Sequence, residues 1–277
     1  MPFDFSPYAA VLLDLDGTLY HEEHALPGAA DLVRRLQREG RPYACLTNST
    51  SSPERIRTRL AHMGIDMPAD RIWSAAAAAA DYVLKTFGAR RAVGTSVPLR
   101  PRVMNLATEG FHELLDGQVD WVNRADELCD AIVVGAPTNV FATPDRQRVA
   151  MEIARRTPAV LVGVCADRVY PSPRGMELGC GALTSMLAYA ADVPPDRVVY
   201  TGKPEPIFFN ELCAHLGVEP ARCLLIGDNL ESDIAGARRV GADTILVLTG
   251  VATESDAATA PENKRPGRVI PDLTALL

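Results

Sequence analysis

The chain reads VLLDLDGTLY over residues 11–20, an apolar run that ends in two aspartates and drops into a glycine. The carboxylates of Asp14 and Asp16 repel each other and lose solvation when buried, so they either face water or hold a cation. Period-two geometry puts both carboxyls on one side of an extended strand, and Gly17 lets backbone amides turn toward an anion. The stretch alone therefore leaves two options, a solvated loop or a cation and phosphate site behind a buried strand, and the rest of the chain decides between them.

Composition limits the classes of function. The 277 residues, 47% of them hydrophobic, are enough for a sizeable core. The net charge of -7 argues against a broad grip on nucleic acid, although one well-placed cation can still hold a phosphate. The first residues, MPFDFSPYAA, carry an acid and no basic residue, and no apolar run approaches the ~20 residues of a membrane span. We therefore expect a cytoplasmic protein without nucleic-acid or membrane partners, whose six scattered cysteines are buried and reduced.

Strand-like apolar runs alternate with segments of helical period at both ends of the chain. The order AVLLDL, PGAADLVRRLQREG, PYACLTN, SSPERIRTRLAHMG is a βαβα pattern, and RCLLIGDN, ESDIAGARRVG and DTILVLTG resume it. These segments predict an α/β fold with a Rossmann-like, doubly wound parallel sheet built from residues 1–87 and 198–277. Residues 253–268 have the polarity of a mobile loop before a last short strand at 269–273.

The middle of the chain has strands and a helix of its own. Two apolar runs, AIVVGA and AVLVGVCA, flank the helical segment TPDRQRVAMEIARR, which Thr143 and Pro144 open. About 110 residues suffice for a separate domain. We expect residues 88–197 to form a smaller α/β domain inserted into the first, with boundaries uncertain by about ten residues.

Polar residues suited to binding a cation and a phosphate follow the predicted strands. Ligands of open parallel sheets bind at the carboxyl ends of the strands. The residues expected there are Asp14, Asp16, Thr47, Asn48, Lys203, Asp228 and Asn229. Carboxylates, a hydroxyl, an amide and an ammonium make a site for a divalent cation and a phosphate, and hard oxygen ligands suit Mg²⁺. Thr47 and Asn48 could instead form a capping turn, and Asp233 could cap a helix, so Asp233 is given only a supporting role beside Asp228.

The segments DLDGTL, LTNS, GKP and GDNLESDI, in this order, resemble the four motifs of the haloacid dehalogenase superfamily of phosphotransferases. The arrangement is similar to the branch with a large α/β cap between the second and third motifs. That branch includes p-nitrophenylphosphatases, phosphoglycolate phosphatases, pyridoxal phosphatase and sugar or nucleotide phosphatases. The resemblance implies a Mg²⁺-dependent phosphatase that hydrolyses the phosphomonoester of a small metabolite.

The resemblance also implies a role for each motif residue. Asp14 would attack phosphorus and form an aspartyl phosphate, while Asp16 would protonate the leaving oxygen and later accept a proton from water. Mg²⁺ would be held by the Asp14 carboxylate, the Asp16 backbone carbonyl and Asp228. The residues expected to bind the phosphate are Gly17, Thr47, Asn48 and Lys203, and those expected to support the metal ligands are Asn229 and Asp233.

The inserted domain would act as a cap that closes over the site and selects the leaving group. Its loops APTNVF and ADRVYPSPRGMELGCG depart from the branch, and we hypothesise that Thr138, Asn139 and Tyr170 face the substrate. Ordinary surface loops remain an equal alternative. The acidic stretch HEEH at residues 21–24 lacks further ligands nearby and is interpreted as a solvated loop.

Two other functions stay open at this point. A phosphotransferase of the same fold would move the phosphate to an acceptor other than water. A non-catalytic phosphate-binding or receiver-like protein also gathers acids, a threonine and a lysine, but receivers are about half this length. The residues identify neither the substrate nor the oligomeric state, and since cap-mediated dimers are known in the branch, a homodimer is among the options.

Overall fold

The structure is a computed structural model that describes residues 2–89, 99–172 and 174–277, with the backbone alone at Pro171. Its strands are β1 (Ala10–Asp14), β2 (Tyr20–His21), β3 (His24–Ala25), β4 (Tyr43–Thr47), β5 (Ile72–Ser74), β6 (Arg102–Leu106), β7 (Asp120–Trp121), β8 (Ala131–Val134), β9 (Val160–Gly163), β10 (Val169–Ser172), β11 (Gly175–Leu178), β12 (Val198–Tyr200), β13 (Cys223–Gly227), β14 (Asp243–Val247) and β15 (Arg268–Ile270). Its α-helices are α1 (Ala29–Arg38), α2 (Pro53–His62), α3 (Ala75–Phe87), α4 (Glu109–Leu115), α5 (Pro144–Arg156), α6 (Cys180–Ala190), α7 (Pro206–Leu216), α8 (Ala235–Arg239) and α9 (Glu254–Thr259).

The first of two compact units consists of Met1–Thr47, Pro53–Trp73 and Lys203–Leu277. Its sheet has the strand order β15-β14-β13-β1-β4-β5, and the strands from β15 to β4 pair in parallel. Every residue of β1, β4 and β13 is buried, as expected of parallel strands covered on both faces. In the register, Leu13 lies beside Ile226 and Asp14 beside Leu46, so these three strands end at one edge.

Helix α1 shows how the first unit builds its core. Its apolar residues recur at the helical period, which places Leu32, Val33 and Leu36 on one buried face. These side chains belong to the same core as Val11 and Leu13 of β1. The packing fixes β1 between layers, and with it the position at which the strand ends.

The second unit consists of Asn48–Ser52 and Ser74–Gly202. Its parallel sheet has the strand order β12-β9-β8-β6-β7, and β10 and β11 form a separate antiparallel ribbon. As the sequence predicts, α5 begins at Pro144, and the Thr143 side chain accepts a hydrogen bond from the Arg146 N–H. The predicted α/β class with parallel sheets is confirmed in both units.

The predicted insertion of residues 88–197 differs in extent from the contact-defined second unit. Helix α3 belongs to this unit because Ala79 and Val83 pack in one core with Val103 and Phe111. Strand β12 belongs to it because it pairs with β9. Residues 90–98, just after the predicted start, lie outside the described residues. The domain boundaries themselves stay a prediction.

One local expectation is wrong and two are confirmed. The segment predicted as a loop at 253–268 contains α9, because the Thr253 hydroxyl accepts the Asp256 N–H while the Asp256 carboxylate accepts the Thr253 N–H. The last short strand is present as β15. The six cysteines are free and buried, as predicted. Among the described residues, no helix combines the length and the apolar character needed to cross a membrane.

Candidate active site

A buried ion-pair network lies at the carboxyl edge of the first unit's sheet. Lys203 Nζ donates to Asp14 Oδ1 over 2.5 Å and to Asp233 Oδ1 over 2.6 Å. All three residues are at most 4% exposed. Asp14 is the last residue of β1, and Lys203 follows the chain out of β12. Through these two hydrogen bonds the Lys203 ammonium links Asp14 of the first motif to Asp233 of the fourth motif.

A third carboxylate joins this network. Oxygens of Asp14, Asp228 and Asp233 lie within 4.8 Å of one another, and all three residues are buried. Asp233, expected only in a supporting role, is thus a member of the carboxylate cluster. The side chain of Asp16 is 71% exposed, so its carboxylate does not share their burial. The structure therefore does not place the Asp16 carboxylate in the shared buried crevice that the strand-end pattern predicts.

The protonation preferences follow from burial. Burial raises the pKa of Asp14 well above its usual value, and the neighbouring Asp233 raises it further, while Lys203 opposes both. Burial also raises the pKa of Asp228 to about 6, again with a contribution from Asp233. Burial alone would lower the pKa of Lys203, but the charges of Asp14 and Asp233 outweigh it and raise the pKa. Without a further cation, the cluster therefore favours the protonated forms of Asp14 and Asp228 over their ionised forms.

The fourth motif owes its shape to a single π-helical turn, Leu230–Ile234, that leads into α8. The Asn229 side chain accepts the N–H groups of Glu231 and Ser232 and thereby caps this turn. Asp233 Oδ2 accepts the Asn229 N–H over 3.1 Å, which leaves Oδ1 on Lys203. Asn229 thus contributes to the shape of the turn that orients Asp233.

The first motif turns sharply after Asp14. Gly17 has a φ of +80°, a conformation that favours glycine, and its N–H donates to the Tyr20 carbonyl over 2.8 Å. The N–H groups of Thr18 and Leu19 donate to the Leu15 carbonyl. The turn carries Asp16 to the surface, where its Oδ1 lies 3.8 Å from His21 Nδ1.

The second motif ends β4. Thr47 is buried at the end of that strand, one residue beyond the partner of Asp14. Asn48 groups with the second unit, where its Nδ2 donates to Asp167 Oδ2 over 3.1 Å. Asp167 is 119 residues away in sequence, and no local pattern could have predicted this contact. Its main-chain carbonyl accepts the Gly181 N–H over 2.9 Å, so its own position is fixed by the start of α6.

The proposed specificity residues behave differently from one another. Thr138 Oγ1 and the Tyr170 hydroxyl share a hydrogen bond of 2.7 Å at the surface of the second unit. The Asn139 Oδ1 accepts the Phe141 N–H over 2.7 Å, and its Nδ2 donates to the Ala136 carbonyl and, over 3.4 Å, to the Leu106 carbonyl at the end of β6. Asn139 therefore stabilises the loop, while its role toward a substrate, like those of Thr138 and Tyr170, stays a prediction.

The HEEH stretch is exposed throughout, in agreement with its interpretation as a solvated loop. His21 and His24 pair across the short ribbon of β2 and β3. The potential metal-ligand cluster found among the described residues is that of Asp14, Asp228 and Asp233, and it does not involve these histidines.

The donors present fit a hard divalent cation. All three clustered side chains offer carboxylate oxygens, and their charge exceeds that of the single buried ammonium. The Val251 N–H holds Asp228 Oδ2 over 2.7 Å, which orients that carboxylate. The Val251 donor is a backbone group, which no side-chain pattern could have indicated.

Two family descriptions match the chain, "Haloacid dehalogenase-like hydrolase" over residues 11–118 and HAD-hydrolase-like over residues 200–276. An acid sugar phosphatase from Staphylococcus aureus is 32% identical over 250 residues, which are 90% of this chain and 90% of that protein. The chain belongs to the haloacid dehalogenase superfamily of hydrolases. It is a phosphatase of the branch that the resemblance in its four motifs indicated.

Solved structures of this superfamily share the fold over nearly the whole chain. A double mutant of a thermostable NPPase from Geobacillus stearothermophilus is 27% identical with a TM-score of 0.81, covering 96% of this chain and 97% of that one. A glycerol phosphate phosphatase from Mycobacterium tuberculosis, in complex with calcium, is 26% identical with a TM-score of 0.80, covering 98% of this chain and 75% of that one. The expected superfamily fold is therefore confirmed.

Proposed function

We propose that this phosphatase uses Mg²⁺ and hydrolyses the phosphomonoester of a small metabolite through a phosphorylated Asp14. The buried cluster of Asp14, Asp228 and Asp233 around Lys203 carries the proposal. Buried carboxylates of this density either take up protons or are stabilised as anions by a compensating cation. The names of the relatives, an acid sugar phosphatase and a glycerol phosphate phosphatase, support a small phosphorylated substrate.

The residues that would hold Mg²⁺ are Asp14, Asp228 and the Asp16 backbone carbonyl, with Asp233 beside them. Bound Mg²⁺ supplies positive charge that keeps Asp14 ionised and offsets the repulsion between its carboxylate and the phosphate. The calcium complex of the M. tuberculosis relative is consistent with a hard divalent cation in this fold.

In the first step a carboxylate oxygen of Asp14 forms a bond to phosphorus, and the bond from phosphorus to the leaving oxygen breaks. Asp16 donates a proton to that oxygen, and its 71% exposure leaves it accessible to a leaving group. Lys203 holds Asp14 in one orientation through its 2.5 Å hydrogen bond. Thr47 and Asn48 are assigned to the transferring oxygens, while Gly17, whose N–H is engaged with the Tyr20 carbonyl, would contribute through the shape of its turn.

In the second step water attacks phosphorus, Asp16 accepts a proton from that water, and the bond between phosphorus and Asp14 breaks. Inorganic phosphate leaves and the Asp14 carboxylate is restored. Asp16 acts as an acid in the first step and as a base in the second. A substrate whose leaving group needs no proton therefore removes the need for Asp16 in the first step only. p-Nitrophenyl phosphate is such a substrate.

The test measures phosphate release from sugar, glycerol, nucleotide, pyridoxal and p-nitrophenyl phosphates, with Mg²⁺ or with EDTA. We expect Mg²⁺-dependent release that Asp14→Asn abolishes, whereas Asp31→Asn, an exposed acid paired with Arg34, leaves it unchanged. Asp16→Asn with p-nitrophenyl phosphate should release a burst of about one p-nitrophenolate per protein before a slow phase. Release without a burst would contradict the phosphorylated intermediate, and activity in EDTA would contradict the need for Mg²⁺.

A further inference from the structure

Residues outside the four motifs contact the first and the fourth motif at once. The Thr249 hydroxyl donates to the Gly17 carbonyl over 2.6 Å, and the Val251 N–H donates to Asp228 Oδ2 over 2.7 Å. The Ala252 N–H donates to the main-chain carbonyl of Asp228 over 3.1 Å. Three hydrogen bonds from four consecutive residues therefore converge on Gly17 and Asp228.

Steric contacts complete this arrangement. A Cβ on Gly250 would overlap Asp228 Oδ2 and lie 2.5 Å from its Cγ, and a Cβ on Gly17 would lie 2.7 Å from the same Cγ. Real Cβ atoms essentially never approach another atom this closely. The Asp228 carboxylate thus packs between two glycines. Gly250 does not have the left-handed φ of Gly17, so space for the carboxylate, and not backbone strain, constrains this position.

We propose that residues 249–252, here the Asp228 brace, are a positioning element that fixes the Asp228 carboxylate for Mg²⁺. The inference rests on the proposed function, because it assigns a support to the cation site named there. A free carboxylate must be ordered when a cation binds, whereas one held by a backbone N–H and two glycines is already oriented. The hydrogen bond from Thr249 extends the same support to the turn of the first motif at Gly17.

The test is Mg²⁺ binding to the full chain, measured by calorimetry without substrate after removal of metal. Gly250→Ala should weaken the binding constant about 10- to 100-fold, the range found when groups that orient metal ligands are changed. Thr249→Val, which loses one hydrogen bond, should weaken it about threefold to tenfold. Thr249→Ser keeps the hydroxyl and should bind like the wild type. With Mg²⁺ saturating, we expect the kcat of Thr249→Val to return close to the wild-type value.

Thr253→Val is the matched control. Thr253 lies two residues beyond Val251, and the substitution removes the cap of α9. Thr253 makes none of the hydrogen bonds to Gly17 or Asp228 that define the brace. Its unfolding midpoint should fall while its Mg²⁺ constant stays at the wild-type value. A general loosening of the segment would instead weaken Mg²⁺ binding in this variant as well and overturn the proposal.

Other outcomes separate the brace from the proposed function. If the wild type binds Mg²⁺ and Gly250→Ala binds it with an unchanged constant, the brace is overturned while the proposed function stands. If Gly250→Ala does not fold, Thr249→Val and Thr249→Ser decide, and equal constants for these two variants overturn the brace. If the wild type binds no Mg²⁺, the proposed cation site fails and the brace fails with it.

Discussion

The strand ends of the first unit and the loops of the second unit hold polar residues in opposite ways. Lys203 and its carboxylate partners are buried, and each charge is the partner of another. The Thr138 and Tyr170 hydroxyls pair at the surface, where water can replace either of them. A charge left alone in the interior costs several kcal/mol, whereas a lost surface hydrogen bond costs little. The buried cluster therefore tolerates few substitutions, while the loops can vary without loss of the fold.

The largest effect is expected from Lys203→Met. Removal of the ammonium leaves Asp14 and Asp233 buried without their shared partner, and we expect a loss of about 3–5 kcal/mol in the free energy of unfolding. The measurement is urea unfolding in EDTA, followed by the fluorescence of Trp73 in a Trp121→Phe background. The chain has two tryptophans, and Trp73 is the one in the first unit.

Lys264→Met provides the control for this prediction. Lys264 also makes a 2.5 Å contact to a carboxylate, but its partner Glu231 is 73% exposed. Its loss should change the free energy of unfolding by no more than about 1 kcal/mol. Similar losses in the two lysine variants would mean that burial does not distinguish these ion pairs.

A smaller effect is expected from pH. Because the pKa of Asp228 is raised to about 6, the folded state holds a proton that the unfolded state has already released. The stability that this proton provides is complete below the ordinary pKa of 3.8 and is lost as the pH rises to about 6. As the pH rises through this range in EDTA, the unfolding free energy of the wild type should fall more than that of Asp228→Asn. The difference between the two falls should reach about 3 kcal/mol when Asp228 is fully ionised.

Two further measurements check the cause of this pH effect. Asp126→Asn removes an exposed carboxyl whose pKa is lowered by a hydrogen bond from Arg124. Its effect on the pH dependence of the unfolding free energy should therefore be opposite in sign to that of Asp228→Asn. Mg²⁺ at about 100 times its Kd should stabilise the wild type by about 2.7 kcal/mol at neutral pH. Parallel pH profiles for the wild type and Asp228→Asn would show that burial of this carboxylate carries no such cost.

The sequence predicts those parts of the molecule that local chemistry determines. The apolar run of β1 ends where predicted, Thr143 caps α5, and four motifs in order indicate the superfamily. Asp14 and Asp228 meet because the adjacent parallel strands β1 and β13 end at one edge of a sheet, a rule that needs only the strand order. Lys203 follows β12, a strand of the other sheet, so this rule does not account for its contact with Asp14.

Contacts through the backbone or across long separations could not be predicted in this way. The Val251 N–H on Asp228 has no side-chain signature, and Asp167 meets Asn48 across 119 residues. Asp233 of the cluster lies in the π-helical turn Leu230–Ile234, and no local sequence pattern predicts that turn. The segment after Thr253 is predicted as a loop from its polar composition, although it holds a capping box whose acidic residue is Asp256 instead of the usual glutamate.

The smallest effect is expected in the loops of the second unit. Tyr170→Phe removes the hydroxyl that pairs with Thr138 over 2.7 Å, and the loss of one exposed hydrogen bond should change kcat/KM about twofold to tenfold for the preferred phosphate ester. Unfolding free energy should stay within about 0.5 kcal/mol of the wild-type value. Tyr189→Phe, at a side chain that is 92% exposed in the same unit, is the control and should leave kcat/KM unchanged. If the two tyrosine variants have the same kcat/KM for every ester of the panel, Tyr170 has no part in selecting the substrate and the loop is an ordinary surface segment.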